Sequence, residues 1–340
     1  MKASSPNATQ PAVDRLDLES LEPGELHHLM VDIVTNALGV WTWIPVIVAR
    51  GHQPGPVVAV TGAVHGNELN GIRIVQRLFH RLRGEGLRGT VIGVPIVNVP
   101  GYRENRREFI DGNDLNRIMP GRENGNCAQV YAHRVLTRVL DRADYLIDLH
   151  TASAGRVNSI YVRADMTNPV TARMARLQQA QIIVHNKGRD GTLRGAVGVP
   201  AITVEVGDPH RFQRGAIRDG LEGVENVLVD LELLPGEIKH DEDAVLCSRS
   251  YWIYTDTGGV LEVFPQLRDQ VECGERIARV SSIFGDVIRE YEAPEDGVVV
   301  GKSISPVNRT GARVLHLGVV GTPEGACDPV PSPGGHSSSS

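Results

Sequence analysis

Residues 56–82 read PVVAVTGAVHGNELNGIRIVQRLFHRL and contain the transition that decides the fold. The β-branched run Val57–Thr61 is typical of a buried strand. Helical spacing follows from Asn70 to Arg83, where one face carries Leu69, Ile72, Val75, Leu78 and Phe79. A buried strand that passes directly into an amphipathic helix predicts an α/β unit, with polar turn residues at the carboxyl end of the strand.

The same alternation continues through about two thirds of the chain. Further buried strands are predicted at Ile44–Val48, Val91–Val97, Tyr145–Leu149, Ile182–His185 and Ala201–Val206, and further helices at Ala128–Arg142 and Asn168–Gln179. This order predicts an α/β catalytic domain over residues 15–240, with a mixed, mostly parallel sheet flanked by helices on both faces.

The pattern changes after Ile238, where short apolar runs and glycine-containing turns replace the helices. We predict a small all-β domain over residues 241–321. Its segments from Gly259 to Val280 and from Ala293 to Val300 resemble the barrel-sandwich fold of biotinyl and lipoyl carriers. No lysine occupies the hairpin where carriers are modified, so the domain is expected to be structural. Residues 1–14 and 322–340 are predicted to be disordered tails because of their Ser, Pro and Gly content.

Charge and hydropathy exclude several partners. The chain has 340 residues and a formal net charge of −6, without a basic stripe for nucleic acid or a polybasic face for anionic lipid. No stretch is long and apolar enough to span a membrane, and the amino terminus lacks the apolar core of a secretory signal. The four cysteines lie far apart in sequence, which favours reduced thiols and a cytoplasmic location.

A candidate metal site begins at the predicted strand-to-helix turn, where His65 and Glu68 lie three residues apart. Zinc binds imidazole nitrogen and carboxylate oxygen, and a hydrolytic site uses three protein ligands and leaves a fourth position for water. His150 ends another apolar strand and would emerge at the edge of the sheet, so it is the third predicted ligand. Because an H-x-x-E pair alone is a weak signal, exposed residues at the start of a helix are the alternative.

A buried carboxylate is predicted at Glu205, which is flanked by valines in an apolar run. Desolvation disfavours an ionised carboxylate, so Glu205 needs either a charged partner or a chemical role. A structural ion pair with a nearby arginine is the alternative interpretation. The polar loop from Asp111 to Arg117, with sequence DGNDLNR, is a further candidate segment.

Four ordered motifs, G-x-x-H-G-N-E, D-G-x-D-L-N-R, D-L-H and T-V-E-V-G, resemble those of the succinylglutamate desuccinylase and aspartoacylase family. The resemblance runs from Val57 to Phe212 and implies the zinc carboxypeptidase-like fold of that family. The resemblance also implies one zinc ion per chain, bound by His65, Glu68 and His150.

The resemblance also implies roles for the other polar residues. Glu205 would activate the attacking water and later protonate the leaving amine, while Asn116 and Arg117 would bind the substrate carboxylate. Asp114 would orient His65, because metal-bound histidines usually donate their second N–H to an acceptor. Arg117 suits the substrate carboxylate because a guanidinium can donate two parallel hydrogen bonds to it.

The sequence leaves two arginine roles open. One arginine should polarise the scissile carbonyl; Arg107 is favoured, with Arg106 as the close second and Arg103 also within reach. Arg194 lies where the family places another substrate-binding arginine, and the alternative is a surface position on its loop.

The predicted reaction is hydrolysis of the amide bond of an N-acyl amino acid or a related small amide, which releases a carboxylate and a free amine. A zinc carboxypeptidase acting on small peptides is the alternative within enzymes, and a non-catalytic metal-binding module is the alternative outside them. Tyrosines of the small β domain are candidates for a further contribution at the mouth of the site: Tyr251, Tyr254 and Tyr291.

The identity of the acyl group is the least defined part of the prediction, because similarity at the metal says little about the acyl pocket. The small residues Ala152, Ser153 and Ala154 after His150 favour a roomy wall and a different or less polar substrate. Closed homo-oligomers are common among soluble enzymes, and the sequence is compatible with one.

Overall fold

A computed structural model describes residues 11–82, 86–239 and 244–327. The strands of the first two thirds of the chain are β1 (Ala12–Val13), β2 (Leu26–Thr35), β3 (Trp41–Arg50), β4 (Gln53–Gly62), β5 (Arg88–Val94), β6 (Tyr145–His150), β7 (Arg156–Asn158), β8 (Tyr161–Ala164), β9 (Ile182–His185) and β10 (Ala201–Glu205). All six strands predicted from the sequence are present, although β5 ends at Val94, before the predicted Val97.

Six α-helices accompany these strands in the described part of the chain: α1 (Asn70–Arg81), α2 (Val99–Arg103), α3 (Cys127–Val135), α4 (Pro169–Arg176), α5 (Leu193–Ala196) and α6 (Arg214–Asp230). α3 continues as a π-helical turn over Leu136–Leu140. The two together span the predicted helix Ala128–Arg142 except for its last two residues. Short 3₁₀ turns occur at Leu18–Ser20 and Leu115–Arg117. No helix among the described residues is long and apolar enough to cross a membrane.

The longest of these helices, α6, was not predicted. It contains three glycines, which are poor helix formers. Two of them face close neighbours: a Cβ at Gly220 would lie 2.7 Å from Ile74 Cδ1 of α1, and one at Gly223 would lie 2.6 Å from the Gln178 side chain. The glycines thus lower local helix propensity while allowing α6 to pack closely on its neighbours.

A single large sheet forms the centre of the molecule, with strand order β1-β2-β3-β5-β4-β6-β10-β8-β9, and it continues into the C-terminal strands. Its middle strands β5, β4, β6 and β10 are all parallel to one another. One face packs against α1, α4 and α6, and the other packs against α3 with parts of α2 and α5. The predicted mixed α/β fold with helices on both faces is confirmed.

The C-terminal strands are β11 (Val245–Tyr254), β12 (Gly259–Val263), β13 (Gln270–Val271), β14 (Arg276–Ser281), β15 (Val287–Glu292), β16 (Gly297–Ser303), β17 (Val307–Asn308) and β18 (Arg313–Val320). β15, β14, β12 and β17 form a separate antiparallel sheet. The other C-terminal strands belong to the large sheet. β11 pairs in parallel with β9, and β18, β16 and β13 follow β11 in the strand order. The C-terminal β region predicted at 241–321 is therefore joined to the large sheet by backbone pairing.

The ends of the chain differ in part from the predicted tails. Within 1–14, Ala12 and Val13 pair with Met30 and Val31 of β2. Within 322–340, the Cys327 N–H donates to the Met166 carbonyl at 3.0 Å. Residues 1–10 and 328–340 lie outside the described part of the chain. The four cysteines are all free thiols, in line with the sequence interpretation.

Candidate active site and metal centre

The candidate site lies where three neighbouring parallel strands end. β4 leads into the turn that carries His65 and Glu68, β6 ends at His150, and β10 ends at Glu205. Glu205 is paired directly with His150 in the sheet. Because the carboxyl ends of parallel strands meet at one edge, side chains that are distant in sequence converge there.

The predicted ligand set is brought together and buried. His65 Nδ1 lies 2.9 Å from Glu68 Oε1, and His150 Nδ1 lies 2.9 Å from Glu68 Oε2. The two Nδ1 atoms are 3.2 Å apart. One ligand atom from each of the three residues lies within 4.8 Å of the others. The Thr151 N–H also donates to Glu68 Oε2 at 3.0 Å, which fixes the carboxylate in place.

The outer nitrogens of both histidines face carboxylates. His65 Nε2 lies 3.0 Å from Asp114 Oδ1, and His150 Nε2 lies 2.8 Å from Asp148 Oδ2. An ionised carboxylate only accepts hydrogen bonds, so each pair favours a proton on Nε2 and leaves a lone pair on Nδ1. The convergence of two such nitrogens and a carboxylate is a donor set that a zinc ion fits.

Burial and charge oppose one another in this cluster. Burial alone would raise the pKa of Glu68, but His65 and His150 hold it well below its usual range. Burial would likewise lower the pKa of His150, yet Asp148 and Glu68 raise it well above the ordinary histidine value. A buried cluster of this kind needs positive charge from protons or from a metal ion.

Arg107 is the arginine of its loop that reaches the site. Its guanidinium donates to Glu68 Oε1 at 2.8 Å, to Asp114 Oδ2 at 3.0 Å and to Ser153 Oγ at 3.1 Å. Arg106 instead pairs with Glu104, and its side chain is 42% exposed. Arg103 is also exposed and, like Arg106, does not line the cavity. The geometry therefore favours Arg107 among the three candidates.

Glu205 faces the same cavity. Its side chain is 12% exposed, and burial raises the pKa of its carboxyl group despite the nearby Arg163. Arg163 Nε lies 3.7 Å from Glu205 Oε1, and Asn158 Nδ2 donates to Oε2 at 3.3 Å. Glu205 thus has the charged partner considered from the sequence, and it also lies beside the metal-ligand cluster.

The predicted substrate-binding residues line the cavity but differ in their engagement. Asn116 Oδ1 accepts the Leu193 N–H at 2.7 Å, so this oxygen has a structural partner. Arg117 is an exposed residue and donates to the Asn116 carbonyl at 2.7 Å. Arg194 donates to the Asn186 carbonyl at 3.0 Å, and burial lowers the pKa of Arg194 to about 10.

Several residues of the site were not assigned from the sequence. Asp148 has the clearest missed signal, because it lies two residues before His150 on a strand and so shares its face. Further residues that line the cavity are Arg156, Asn158, Arg163, Arg189, Trp252 and Arg313. Of the candidate tyrosines, Tyr254 lines the cavity, whereas Tyr251 and Tyr291 bond Glu295 and Asp256 respectively.

The cavity has a volume of about 340 Å³, a size suited to a small molecule. Its lining includes seven arginines, which are Arg107, Arg117, Arg156, Arg163, Arg189, Arg194 and Arg313. The small residues after His150 predict a less polar substrate. The arginine-rich lining of the cavity does not support that prediction. Ser153 itself belongs to the polar network, since it accepts a hydrogen bond from Arg107.

Fold and site together define an α/β protein with a candidate metal centre at the carboxyl ends of parallel strands. The chain belongs to the succinylglutamate desuccinylase/aspartoacylase family, whose catalytic-domain model matches residues 54–231. The family resemblance found in the sequence is thereby confirmed.

Relatives cover nearly the whole chain. An N-alpha-acetyl-L-2,4-diaminobutyric acid deacetylase of Halomonas elongata is 27% identical in an alignment of 321 positions that covers 88% of this chain and 93% of the relative. The crystal structure of a succinylglutamate desuccinylase from a Silicibacter species has a TM-score of 0.79 at 26% identity and covers 88% of this chain and 96% of its own. A product-bound ectoine utilization protein of Ruegeria pomeroyi has a TM-score of 0.80 at 25% identity, with 88% and 97% covered.

Proposed function

We propose that this protein is a zinc-dependent deacylase that hydrolyses the amide bond of an N-acyl amino acid, releasing a carboxylate and a free amine. The observation that carries the proposal is the buried His65, Glu68 and His150 cluster with Glu205 beside it in one small-molecule cavity. The Halomonas relative, named as a deacetylase of an N-acetylated amino acid, supports the same reaction type.

His65, Glu68 and His150 would hold the metal ion. When bound, zinc would supply Lewis-acid activation of water and of the amide carbonyl. Asp114 and Asp148 orient the two histidines from behind, and the Thr151 N–H orients Glu68. The two aspartates thus preorganise the histidines through their outer nitrogens and leave the facing Nδ1 atoms available for the metal ion.

Glu205 would act as the proton carrier. Its raised pKa suits a carboxylate that takes a proton from the attacking water and then gives it to the departing amine. Asn158 donates to Glu205 Oε2 and holds the side chain in the cavity. Arg107 would donate to the carbonyl oxygen as negative charge develops on it, because its guanidinium is already fixed by two carboxylates.

Asn116, Arg117 and Arg194 would bind the substrate's carboxylate and acyl ends, since all three line the cavity with polar side chains. The C-terminal strands contribute Trp252, Tyr254 and Arg313 to the wall of the cavity. A wall at that position favours a small acyl amino acid over a long peptide, which would need an open groove. The free cysteines support a cytoplasmic location for the enzyme.

The test is the variant Glu205→Gln, which keeps the shape of the side chain and the contact with Asn158. We expect unchanged zinc content and a loss of turnover of about 10²–10⁴-fold on N-acyl amino acids. Glu295→Gln is the matched control, because Glu295 also lies beside an arginine, Arg249, but is outside the cavity. Near-normal turnover by zinc-loaded Glu205→Gln would overturn the role of Glu205, and peptide cleavage without deacylation would favour a carboxypeptidase.

A further inference from the structure

Three neighbouring strands present a common face to the cavity. His150 of β6 is paired with Glu205 of β10, and Glu205 is paired in turn with Tyr161 of β8. Residues that are directly opposite each other, or two apart on one strand, lie on the same face of a sheet. The two-residue period that places Asp148 behind His150 therefore also places Arg163 beside Tyr161 on the face of Glu205.

Arg163 links Tyr161 to Glu205. Its guanidinium donates to the Tyr161 hydroxyl, and its Nε lies 3.7 Å from Glu205 Oε1. The guanidinium carbon also lies 5.2 Å from the centroid of the Tyr161 ring. A planar guanidinium that is held by an aromatic ring and a hydroxyl is preorganised to face a carboxylate. Glu205 thus meets a fixed positive group at Oε1, while Asn158 donates to its Oε2.

The Tyr161 hydroxyl is buried and stays protonated. The residue is 1% exposed. Burial raises the pKa of this hydroxyl, Arg163 opposes the increase, and the charge of Glu205 and hydrogen bonding to it raise the pKa further. Because the phenolic oxygen already accepts from Arg163, its own proton is the group that faces an acceptor. Tyr161 can therefore donate to the same carboxylate that Arg163 attracts.

The Tyr161 ring packs against the C-terminal strands. His316 of β18 meets it edge-on, with ring centroids 5.8 Å apart and an interplanar angle of 69°. His316 is itself buried, and its Nε2 lies 2.9 Å from Ser250 Oγ of β11. Trp252 stacks on His316, with ring centroids 5.0 Å apart and an interplanar angle of 11°. Close packing of this kind restricts rotation of the Tyr161 ring and fixes the direction of its hydroxyl.

We propose that Tyr161 and Arg163 are positioning residues that hold the Glu205 carboxylate toward the metal-ligand cluster. They act through Glu205 and exchange no proton with the substrate. The packing of Tyr161 on His316 makes the C-terminal strands part of this support. The inference rests on the proposed function for its kinetic consequence, but the position of Glu205 can be measured without turnover.

The first measurement compares crystal structures of the zinc-loaded unaltered protein, Tyr161→Phe and Arg163→Met. We expect a single conformation of the Glu205 side chain in the unaltered protein. In each variant the carboxylate should rotate or occupy two conformations, while the three metal ligands and the zinc content stay unchanged. A Glu205 carboxylate that keeps its place in both variants would overturn the proposal.

Kinetics gives the second readout. Tyr161→Phe and Arg163→Met should each lower kcat by about 10–100-fold and leave KM within about twofold, because a misplaced proton carrier slows the reaction without weakening substrate binding. Arg163→Lys should retain more of kcat than Arg163→Met, since it keeps the positive charge. A raised KM with unchanged kcat would instead assign these residues to substrate binding and contradict the inference.

The same substitutions in the Glu205→Gln background test whether they act through Glu205. Residues that work as a unit have non-additive effects, so Tyr161→Phe should change the residual rate of Glu205→Gln by less than about twofold. A further loss of about tenfold or more in that background would mean that Tyr161 supports the site in another way, and the proposal would fail.

Tyr251→Phe and Arg249→Met are the matched controls. These two residues also lie two apart on one strand and share a glutamate: the Tyr251 hydroxyl donates to Glu295 Oε1 at 2.8 Å, and Arg249 donates to Oε2 at 2.6 Å. Neither lines the cavity, so kcat should equal that of the unaltered protein. Thermal unfolding of each variant reports any loss of folding. If the zinc-loaded unaltered protein hydrolyses no N-acyl amino acid, the proposed function fails, and the crystal structures still decide whether Tyr161 and Arg163 position Glu205.

Discussion

Replacing Asp148 by asparagine should weaken zinc binding without removing any ligand. Asp148 is fully buried, and its two oxygens meet His150 Nε2 at 2.8 Å and the Thr61 hydroxyl at 2.7 Å. The substitution Asp148→Asn keeps the shape but removes the negative charge that raises the basicity of His150. Loss of such a supporting carboxylate typically weakens metal affinity by about 10–100-fold, or roughly 1.4–2.7 kcal/mol.

The assay is competition for zinc against a chelator of known affinity, carried out over a range of pH. Asp148 raises the pKa of His150, so in the unaltered protein a proton must leave His150 when zinc binds. As the pH falls through the raised pKa of His150, protons compete with zinc for this residue more strongly in the unaltered protein than in Asp148→Asn. The difference in zinc affinity between the two proteins should therefore narrow. It should be largest at alkaline pH, where His150 is neutral in both proteins.

The matched control is Asp165→Asn, because Asp165 lies 3.9 Å from His185 in an aspartate–histidine pair that does not line the cavity. Its zinc affinity should equal that of the unaltered protein. If Asp148→Asn binds zinc within twofold of the unaltered protein at alkaline pH, the assignment of Asp148 as the carboxylate that supports His150 is wrong.

Three further outcomes are expected. Arg107→Gln should retain zinc and lower kcat about 10²–10³-fold in a steady-state assay, because the carbonyl loses its charged donor; unchanged kcat would remove Arg107 from the reaction. Gly66→Ala should lower the free energy of unfolding by about 2 kcal/mol or more, because the added Cβ would lie 2.1 Å from the Gly101 backbone. Gly215→Ala is its control: the added Cβ meets nothing within 4 Å, so the protein should not be destabilised. Tyr131→Phe should cost about 1–2 kcal/mol in denaturant unfolding, because it removes a buried hydrogen bond to a carbonyl.

Local patterns in the sequence were sufficient for the central strands and for the ligand cluster. The run Val57–Thr61 and the helix from Asn70 lie in a contiguous segment, so their order alone places His65 and Glu68 at the carboxyl end of β4. His150 followed from the same reasoning applied to β6. Asp148 could have been found too, because the two-residue period of a strand puts it on the face of His150.

The remaining features depend on contacts between distant segments. α6 could not be recognised because its glycines weaken the helical pattern of the sequence. Two of these glycines allow close packing against Ile74 and Gln178, which are distant in sequence. Trp252 and Arg313 reach the cavity because β11 joins β9, a pairing that no local pattern in either strand specifies. A cationic wall assembled from scattered single arginines likewise has no signature in the sequence.

The central claim is that His65, Glu68 and His150 hold the zinc ion that supports deacylation. The most direct measurement is the rate of amine release from a panel of N-acetyl, N-succinyl and longer N-acyl amino acids as zinc is returned to chelator-treated protein. Chelated protein should be inactive, and the rate should rise to a plateau at one zinc ion per chain. A rate that is unaffected by chelation, or that stays at zero for every substrate after zinc is restored, would contradict the central claim.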